Sequence, residues 1–290
     1  MTETLRLLAP AKINLSLEVL GKRNDGYHEV RMLMAGVSLA DELSFKAAKD
    51  LRLSCDLASL DCGPSNLVLR AAHALQRATG CSAGAHIHLK KRIPLGGGLA
   101  GGSTDAAATL KGLNTLWGTR LGLEALRKIG ATLGSDIPFC LESGWAVATG
   151  RGEKLKKMGL RRKLHLVLAN PGFEVSTKWV YGSLAGVKPP KRNHTRAAFE
   201  AVQDRDLAAL ERAAVNDLER VTAGRYKEIG QLKARLVDEG AQLARMSGSG
   251  PTVWGLFENE AAAEKACKNL KKYASMVVAV STISKIGEAE

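Results

Sequence analysis

Pro94-Leu95-Gly96-Gly97-Gly98-Leu99-Ala100-Gly101-Gly102-Ser103-Thr104-Asp105-Ala106-Ala107 sets five glycines and two hydroxyls between a strand-like run and a helix-like run. Glycine lets successive backbone N–H groups converge with no Cβ in the way. The helix that follows adds its unsatisfied donors and the positive end of its dipole. This is how a chain prepares to hold phosphate.

The flanks decide which kind of phosphate loop it is. Upstream, residues 85–93 alternate: Ala85, Ile87, Leu89 and Ile93 fall on one face, His86, His88, Lys90 and Arg92 on the other. That is the period of a half-buried antiparallel strand. Downstream, Ala106, Thr109/Leu110, Leu113 and Leu116/Trp117 recur at helical spacing and give one apolar stripe. A P-loop needs Lys and then Ser or Thr after its last glycine, but Gly102 is followed directly by Ser103, so that reading fails. Gly96, Gly98 and Gly101 satisfy G-x-G-x-x-G by spacing alone. That fingerprint also needs a buried parallel strand before the loop and another strand after the helix, whereas residues 121–133 read as a second helix.

At 290 residues with 45% hydrophobic content, the chain has ample material for one large or two ordinary cores. Met1-Thr2-Glu3-Thr4-Leu5-Arg6 gives no basic-then-apolar leader, and no run approaches the roughly 18 apolar residues of a membrane span. The expected location is cytoplasmic. Five scattered cysteines, never in a C-x-x-C pair, suggest neither a disulfide framework nor a zinc site. His86 and His88 share a strand face but lack a third ligand, so no structural metal is expected. The net charge of +13 suggests an anionic partner. Nucleic acid is the obvious candidate, but the basic residues are spread along helices and aromatics are only 4% of the chain, too few for an evident stacking platform.

Along the chain, residues 5–20 and 29–43 read as paired strands joined across 21–26, followed by a helix at 66–79, the glycine loop and its helix, and a helix at 121–133. A basic, loop-like stretch at 154–163 separates the halves, which are set at 1–160 and 161–290. The second half opens with a strand at 164–169 and turns helical from Ser176, with long helices at 197–223 and 225–239. Strands at 241–246 and 252–257, a helix at 259–270 and a strand at 276–283 complete it. That order suits a split β-α-β layout with helices on one face of an antiparallel sheet.

Three segments together carry a resemblance: the glycine loop, Pro10-Ala11-Lys12-Ile13-Asn14-Leu15-Ser16-Leu17, and Ser247-Gly248-Ser249-Gly250-Pro251-Thr252. They resemble the kinase superfamily named for galactose, homoserine, mevalonate and phosphomevalonate kinases. Gly26-Tyr27-His28-Glu29-Val30, Ser65-Asn66-Leu67-Val68, Gly134-Ser135-Asp136-Ile137-Pro138-Phe139, Asn170-Pro171-Gly172 and Asn216-Asp217-Leu218-Glu219 make the chain similar, nearly end to end, to the 4-diphosphocytidyl-2-C-methyl-D-erythritol kinase family. The resemblance implies an α+β, two-domain fold. Its N-terminal β/α lobe, of a type shared with ribosomal proteins, binds ATP; its C-terminal lobe is a ferredoxin-like split β-α-β unit with extra helices, and the active site lies in the cleft between them. It also implies ATP-dependent phosphorylation of a hydroxyl, at the 2-position, of a cytidine-diphosphate-linked methylerythritol in non-mevalonate isoprenoid biosynthesis, with Mg²⁺.

Each residue also has a plainer reading. Lys12 and Asn14 project together from the face opposite Ile13, Leu15, Leu17 and Val19, about 7 Å apart at two residues of strand rise. By pattern they are exposed strand residues; the resemblance turns them toward the acceptor. Asp136, before Ile137-Pro138, reads as an N-cap, and the resemblance makes it the catalytic base, kept ionised and held by Lys12, which also meets the γ-phosphoryl. Tyr27 and His28 follow a glycine turn, where an aromatic can pin a hairpin; the resemblance has Tyr27 stack on cytosine, His28 read its polar edge, and Tyr181 supply the other stacking face. Thr177 and Tyr181 are four apart and share a helix side, although Tyr181 also reads as a core anchor. Asn66 reads as an N-cap and, by resemblance, lies by the adenine, with Lys91 bordering the nucleotide. Ser247 and Gly248 belong to an ordinary glycine turn that the resemblance places at the substrate end.

The phosphates fall to residues 94–104, from Pro94 to Thr104, with Ser103 a candidate magnesium ligand. Ala100 stands where glycine is common, and its methyl narrows the loop if φ there is positive. The partners are ATP and a small-molecule acceptor, with no nucleic acid and no membrane, the chain acting as a monomer or weak homodimer. Two alternatives stay open: another small-molecule kinase of the superfamily, of homoserine or mevalonate type, and an RNA-binding module, which rests on fold analogy alone.

Overall fold

The computed structural model describes residues 4–160, 162–184 and 192–284. Residues 1–3 of the expected leader-free start and position 161, where the second half was set to begin, lie outside them. The chain divides into two compact units that do not follow the order of the sequence. One comprises the opening segment to Ala11 with Leu39–Ile93 and Ala100–Ser143; the other comprises Lys12–Ser38, Pro94–Leu99 and Gly144 onward. Two long strands, β1 (Leu5–Lys22) and β2 (His28–Ala48), pair with each other and contribute residues to both units.

In the first unit, β4 (Gly84–Lys90) pairs antiparallel with the later part of β2 and parallel with β3 (Leu51–Cys55). The alternation read from sequence is the observed one. Leu43, Phe45, Ala85, Ile87 and Leu89 are buried, while His86 meets Asp50 and His88 meets Ser54 on the outer face. Strand β3 was not expected. Its alternation, Leu51, Leu53 and Cys55, is only half-buried and too short to stand out.

Helix α1 (Leu67–Thr79) begins where Asn66 Oδ1 accepts from Val68 N at 2.9 Å and ends at Gly80 in the left-handed region. It packs against α2 (Gly101–Leu116) and α3 (Leu123–Leu133), and the single-turn α4 (Ile137–Cys140) closes the unit against α2 and α3.

In the second unit, the earlier part of β2 pairs with β5 (Trp145–Gly150), which pairs with β6 (Lys154–Lys157). The expected loop at 154–163 therefore starts as a strand. Its lysines mark an edge, where charge blunts further pairing, rather than a linker. A four-stranded antiparallel sheet follows, in the order β10 (Met276–Ser281), β7 (His165–Asn170), β9 (Val253–Phe257), β8 (Leu243–Met246). With helices between β7 and β8 and between β9 and β10, this is the anticipated split β-α-β arrangement. Helices α9 (Lys227–Asp238) and α10 (Glu260–Leu270) cover it and touch each other.

The long helix expected over 197–223 is three helices: α6 (His194–Asp204), α7 (Leu207–Ala213) and α8 (Glu219–Arg225), preceded by the short α5 (Thr177–Gly182). Arg205 turns left-handed at φ 62°, and Asp206 caps α7 by accepting from Ala209 N. Beyond α7 the backbone is captured by β1: Leu17 N donates to Val215 O at 2.7 Å and Asp217 N to Leu17 O at 3.0 Å. Helical periodicity carries no trace of such a long-range pairing. Among the described residues, no helix is long and apolar enough to cross a membrane.

Candidate active site

The second unit gathers most of the motifs quoted above into one hydrogen-bonded knot. Gly96 and Gly98 sit at φ 57° and 74°. A Cβ at Gly98 would lie 2.2 Å from Ser247 O, so no larger residue fits there. Ser247 Oγ donates to Gly98 O at 3.0 Å and accepts from Asn14 N at 3.3 Å. Thr252 Oγ1 accepts from Asn170 Nδ2 at 2.8 Å, and Asn170 Oδ1 in turn accepts from Gly172 N at 2.8 Å. Asn216 Nδ2 donates to Met246 O and Gly248 O, both at 2.9 Å. Thr177 and Ser249 share a hydroxyl hydrogen bond of 2.9 Å. Segments as far apart in sequence as 14 and 247 thus hold residues 94–99 in one conformation.

Lys12 and Asn14 do project together, but they are buried, at 5% and 2% exposure, rather than solvated. Lys12 N donates to Leu99 O at 3.1 Å, and Lys12 Nζ donates to Asn14 Oδ1 at 2.7 Å. The buried indole of Trp254 donates to Asn14 O at 3.1 Å. An ammonium in such a place is oriented rather than free to sample rotamers, which suits charge compensation at a fixed point.

The residues expected at the cytosine make two ring contacts within the protein. His28 and Tyr181 have ring centroids 5.2 Å apart at 31°, whereas the half-exposed Tyr27 lies under Arg151, whose guanidinium carbon is 4.8 Å from the ring centroid. Partial burial, and then Lys22, lower the pKa of His28 from its ordinary value. Arg151 was not anticipated. Its sequence surroundings, a glycine turn between two strands, give no hint that it reaches back to Tyr27.

In the first unit the head of α2 is the chemical feature. Ala100 holds φ 60° as its N-cap residue and offers no side-chain cap. The N–H groups of Gly101, Gly102 and Ser103 open the helix, where an intrahelical acceptor is lacking by construction. The Ser103 hydroxyl is 3.9 Å from where a Cβ on Gly134 would stand, so the turn leading to Asp136 passes beside it. Asp136 is half-buried at the start of α4, and its carboxylate makes no capping hydrogen bond to that helix.

Three residues expected at the nucleotide have other engagements. Thr104 is buried and its hydroxyl donates to Pro10 O at 2.8 Å, tying α2 to β1. Asn66 caps α1. Lys91, with 3% of its side chain exposed, lies between Asp41 and Asp105, its Nζ 2.5 Å from one carboxylate and 2.8 Å from the other. Among the described residues, no group of three or more His, Cys, Asp or Glu is placed to hold a metal ion.

Residues 66–144 match the model described as GHMP kinases N terminal domain, and residues 198–275 match GHMP kinases C terminal. The class is therefore that of the GHMP kinases. The chain is 43% identical over 279 residues to the 4-diphosphocytidyl-2-C-methyl-D-erythritol kinase of Exiguobacterium sibiricum, covering 96% of this chain and 97% of that one. It is 44% identical over 272 residues to the enzyme of that name from Gloeobacter violaceus, covering 91% and 89%. A crystal structure of 4-(cytidine 5'-diphospho)-2C-methyl-D-erythritol kinase superposes with a TM-score of 0.82 at 34% identity, covering 96% of this chain and 99% of that one. A homoserine kinase from Cytophaga hutchinsonii shares the fold, at TM-score 0.75 and 21% identity over 98% of this chain and 96% of that one. The chain belongs to the 4-diphosphocytidyl-2-C-methyl-D-erythritol kinase family.

Proposed function

We infer that this chain is an ATP-dependent small-molecule kinase that transfers the γ-phosphoryl group of ATP to the 2-hydroxyl of 4-diphosphocytidyl-2-C-methyl-D-erythritol. The observation that carries the reading is the knot in which the Ser247 hydroxyl bridges Asn14 N and Gly98 O, with Lys12 Nζ donating to Asn14 Oδ1. The resemblance turns Lys12 and Asn14 toward the acceptor and gives the glycine loop the phosphates, and the knot supports that reading by joining the two segments.

Phosphoryl transfer passes through a loose transition state, so the protein's work is alignment and charge neutralisation. The backbone N–H groups of the 96–99 loop and of the α2 head hold the β-phosphate, placing the positive end of a 16-residue helix behind it. Lys12, fixed by Asn14, neutralises charge on the γ-phosphoryl. Asp136 orients the acceptor hydroxyl and takes its proton late, as the bond to phosphorus forms and the bond to the β-phosphate oxygen breaks. Magnesium enters as MgATP, and the Ser103 hydroxyl is a hard oxygen donor suited to it. Thr177, Tyr181, Tyr27, His28 and Gly248 line the acceptor's cytidine end, with Arg151 beside Tyr27.

ATP is held largely by residues of 1–160, and 161–290 supplies the substrate side, a functional division distinct from the two packing units. The five cysteines are all free thiols, which supports the reading of a reducing, cytoplasmic compartment.

The test is ADP release from ATP with the cytidine-linked acceptor present and absent, and with homoserine and mevalonate as competitors. Release should require the cytidine-linked compound, and Asp136→Asn should lower kcat by about 10²–10⁴-fold with ATP affinity little changed. Equal turnover of homoserine or mevalonate would defeat the assignment.

A further inference from the structure

Tyr27 and His28 are neighbours on the chain, yet their rings are held by different elements. His28 faces Tyr181 of α5 at 5.2 Å between centroids, whereas Tyr27 faces Arg151, which belongs to the turn between β5 and β6. The Tyr27 backbone is fixed without help from its ring: Tyr27 N donates to Asp25 Oδ1 at 3.1 Å, and Tyr27 O accepts from Arg23 N at 2.8 Å. The residue is nonetheless 54% exposed. Among the described residues, Arg151 makes the one cation contact of that ring, and no second aromatic ring stacks on it.

Arg151 is delivered there by the backbone. Val30 of β2 pairs with Gly150, the last residue of β5, and Gly150 N donates to Glu29 Oε1 at 3.1 Å. Gly150 and Gly152 hold φ 74° and 108°, and a Cβ on Gly150 would stand 2.8 Å from a Glu153 carboxylate oxygen, so the chain turns back at once. That same carboxylate accepts from Arg151 N at 2.6 Å. The acids of the two turns are therefore engaged elsewhere: Glu153 by the Arg151 backbone, Asp25 and Glu29 by the Arg23 side chain at 3.1 and 2.5 Å. Among the described residues, the Arg151 guanidinium has no carboxylate partner and no hydrogen bond, and what it touches is the Tyr27 ring.

A cation over an aromatic face is attracted by the ring quadrupole, and a planar guanidinium stacks there as an ammonium cannot. With one face of the ring taken, a flat ligand group stacks on the other. We propose, on the kinase reading above, that Arg151 is a positioning residue: it holds Tyr27 by one ring face and so presents the other to the pyrimidine base of the acceptor. Affinity for the nucleobase then belongs to a pair of residues rather than to the tyrosine alone. Arg151 acts through Tyr27, so its contribution falls on acceptor binding and not on phosphoryl transfer, in which neither side chain takes part.

The test is steady-state ADP release by the full-length protein at saturating MgATP, with 4-diphosphocytidyl-2-C-methyl-D-erythritol varied. The proteins compared are the wild type, Arg151→Met, Arg151→Lys, Tyr27→Leu and the variant that combines Arg151→Met with Tyr27→Leu. Arg151→Met should raise the KM for the acceptor about two- to fivefold, the change falling on KM rather than on kcat. Arg151→Lys, which keeps the charge and loses the plane, should lie between it and the wild type. Tyr27→Leu should raise that KM about fivefold or more, and adding Arg151→Met to it should raise KM no further, because the ring that Arg151 holds is gone. An unchanged KM in Arg151→Met, or a loss that falls on kcat, overturns the proposal. So does a loss of equal size with and without Tyr27, which would put Arg151 on the acceptor itself. In each of those results the acceptor is still phosphorylated and the kinase reading stands, whereas a wild type that does not phosphorylate it defeats both.

Discussion

Two buried carboxylates, one in each unit, show how differently the same group is treated. Glu18 in the second unit is fully buried and fully answered. Arg31 donates to it twice, at 2.9 and 3.0 Å, and His194 N, Thr195 N and the Thr195 hydroxyl donate at 3.2, 3.0 and 2.8 Å. Burial alone would raise its pKa, but the hydrogen bonds from Arg31 and Thr195 outweigh it and hold the group below its ordinary value. Asp105 in the first unit shares one lysine with a second acid and has an oxygen with no donor. The contrast separates a carboxylate that pins α6 to β1 from one on the second turn of α2 that is left with an unanswered oxygen.

The comparison is broken most severely by removing the shared cation. Lys91→Met leaves two buried acids facing each other and should cost about 3–5 kcal/mol of stability, read by urea denaturation at pH 8. Glu18→Gln keeps the shape but loses the charge opposite Arg31, with an expected cost of about 2–3 kcal/mol in the same measurement.

pH dependence sharpens the contrast, because the two acids act with opposite sign. Glu18, with a lowered native pKa, gives stability that is present above 4.5 and lost as pH falls through its native value. Asp105, ordinarily at 3.8 but near 7 when folded, gives stability that is complete below about 4 and lost as pH rises through 7. Asp105→Asn should therefore gain on the wild type by ~1–3 kcal/mol between pH 5 and 8, and a constant difference would contradict this. The smallest expected effect is at the same helix head: Ala100→Gly relieves a left-handed alanine and should raise stability by ~0.5–1 kcal/mol, visible as a small increase in Tm.

What the sequence made legible was local. Alternation over 85–93, the Asn before an apolar helical run at 66, and the order of elements in the second half each follow from neighbours along the chain. What it hid was set by distant partners. The expected helix over 197–223 breaks where Leu17 pairs with the backbone on either side of Asn216, about two hundred residues away in sequence. Lys91 reads as a basic residue entering a phosphate loop. Its acids lie 50 and 14 residues away, so only the folded chain shows that it is sealed between them. Lys12 and Asn14 were legible as a pair on one strand face, but their burial was not, because the Trp254 indole and the Ser247 hydroxyl that enclose Asn14 come from the far end of the chain.

The most direct test of the account is phosphorus NMR of the reaction mixture containing this protein, MgATP and 4-diphosphocytidyl-2-C-methyl-D-erythritol. A new phosphomonoester resonance on the acceptor should grow in step with ADP and be absent without the acceptor. Formation of inorganic phosphate alone, or the same yield of phosphomonoester from mevalonate, would contradict it.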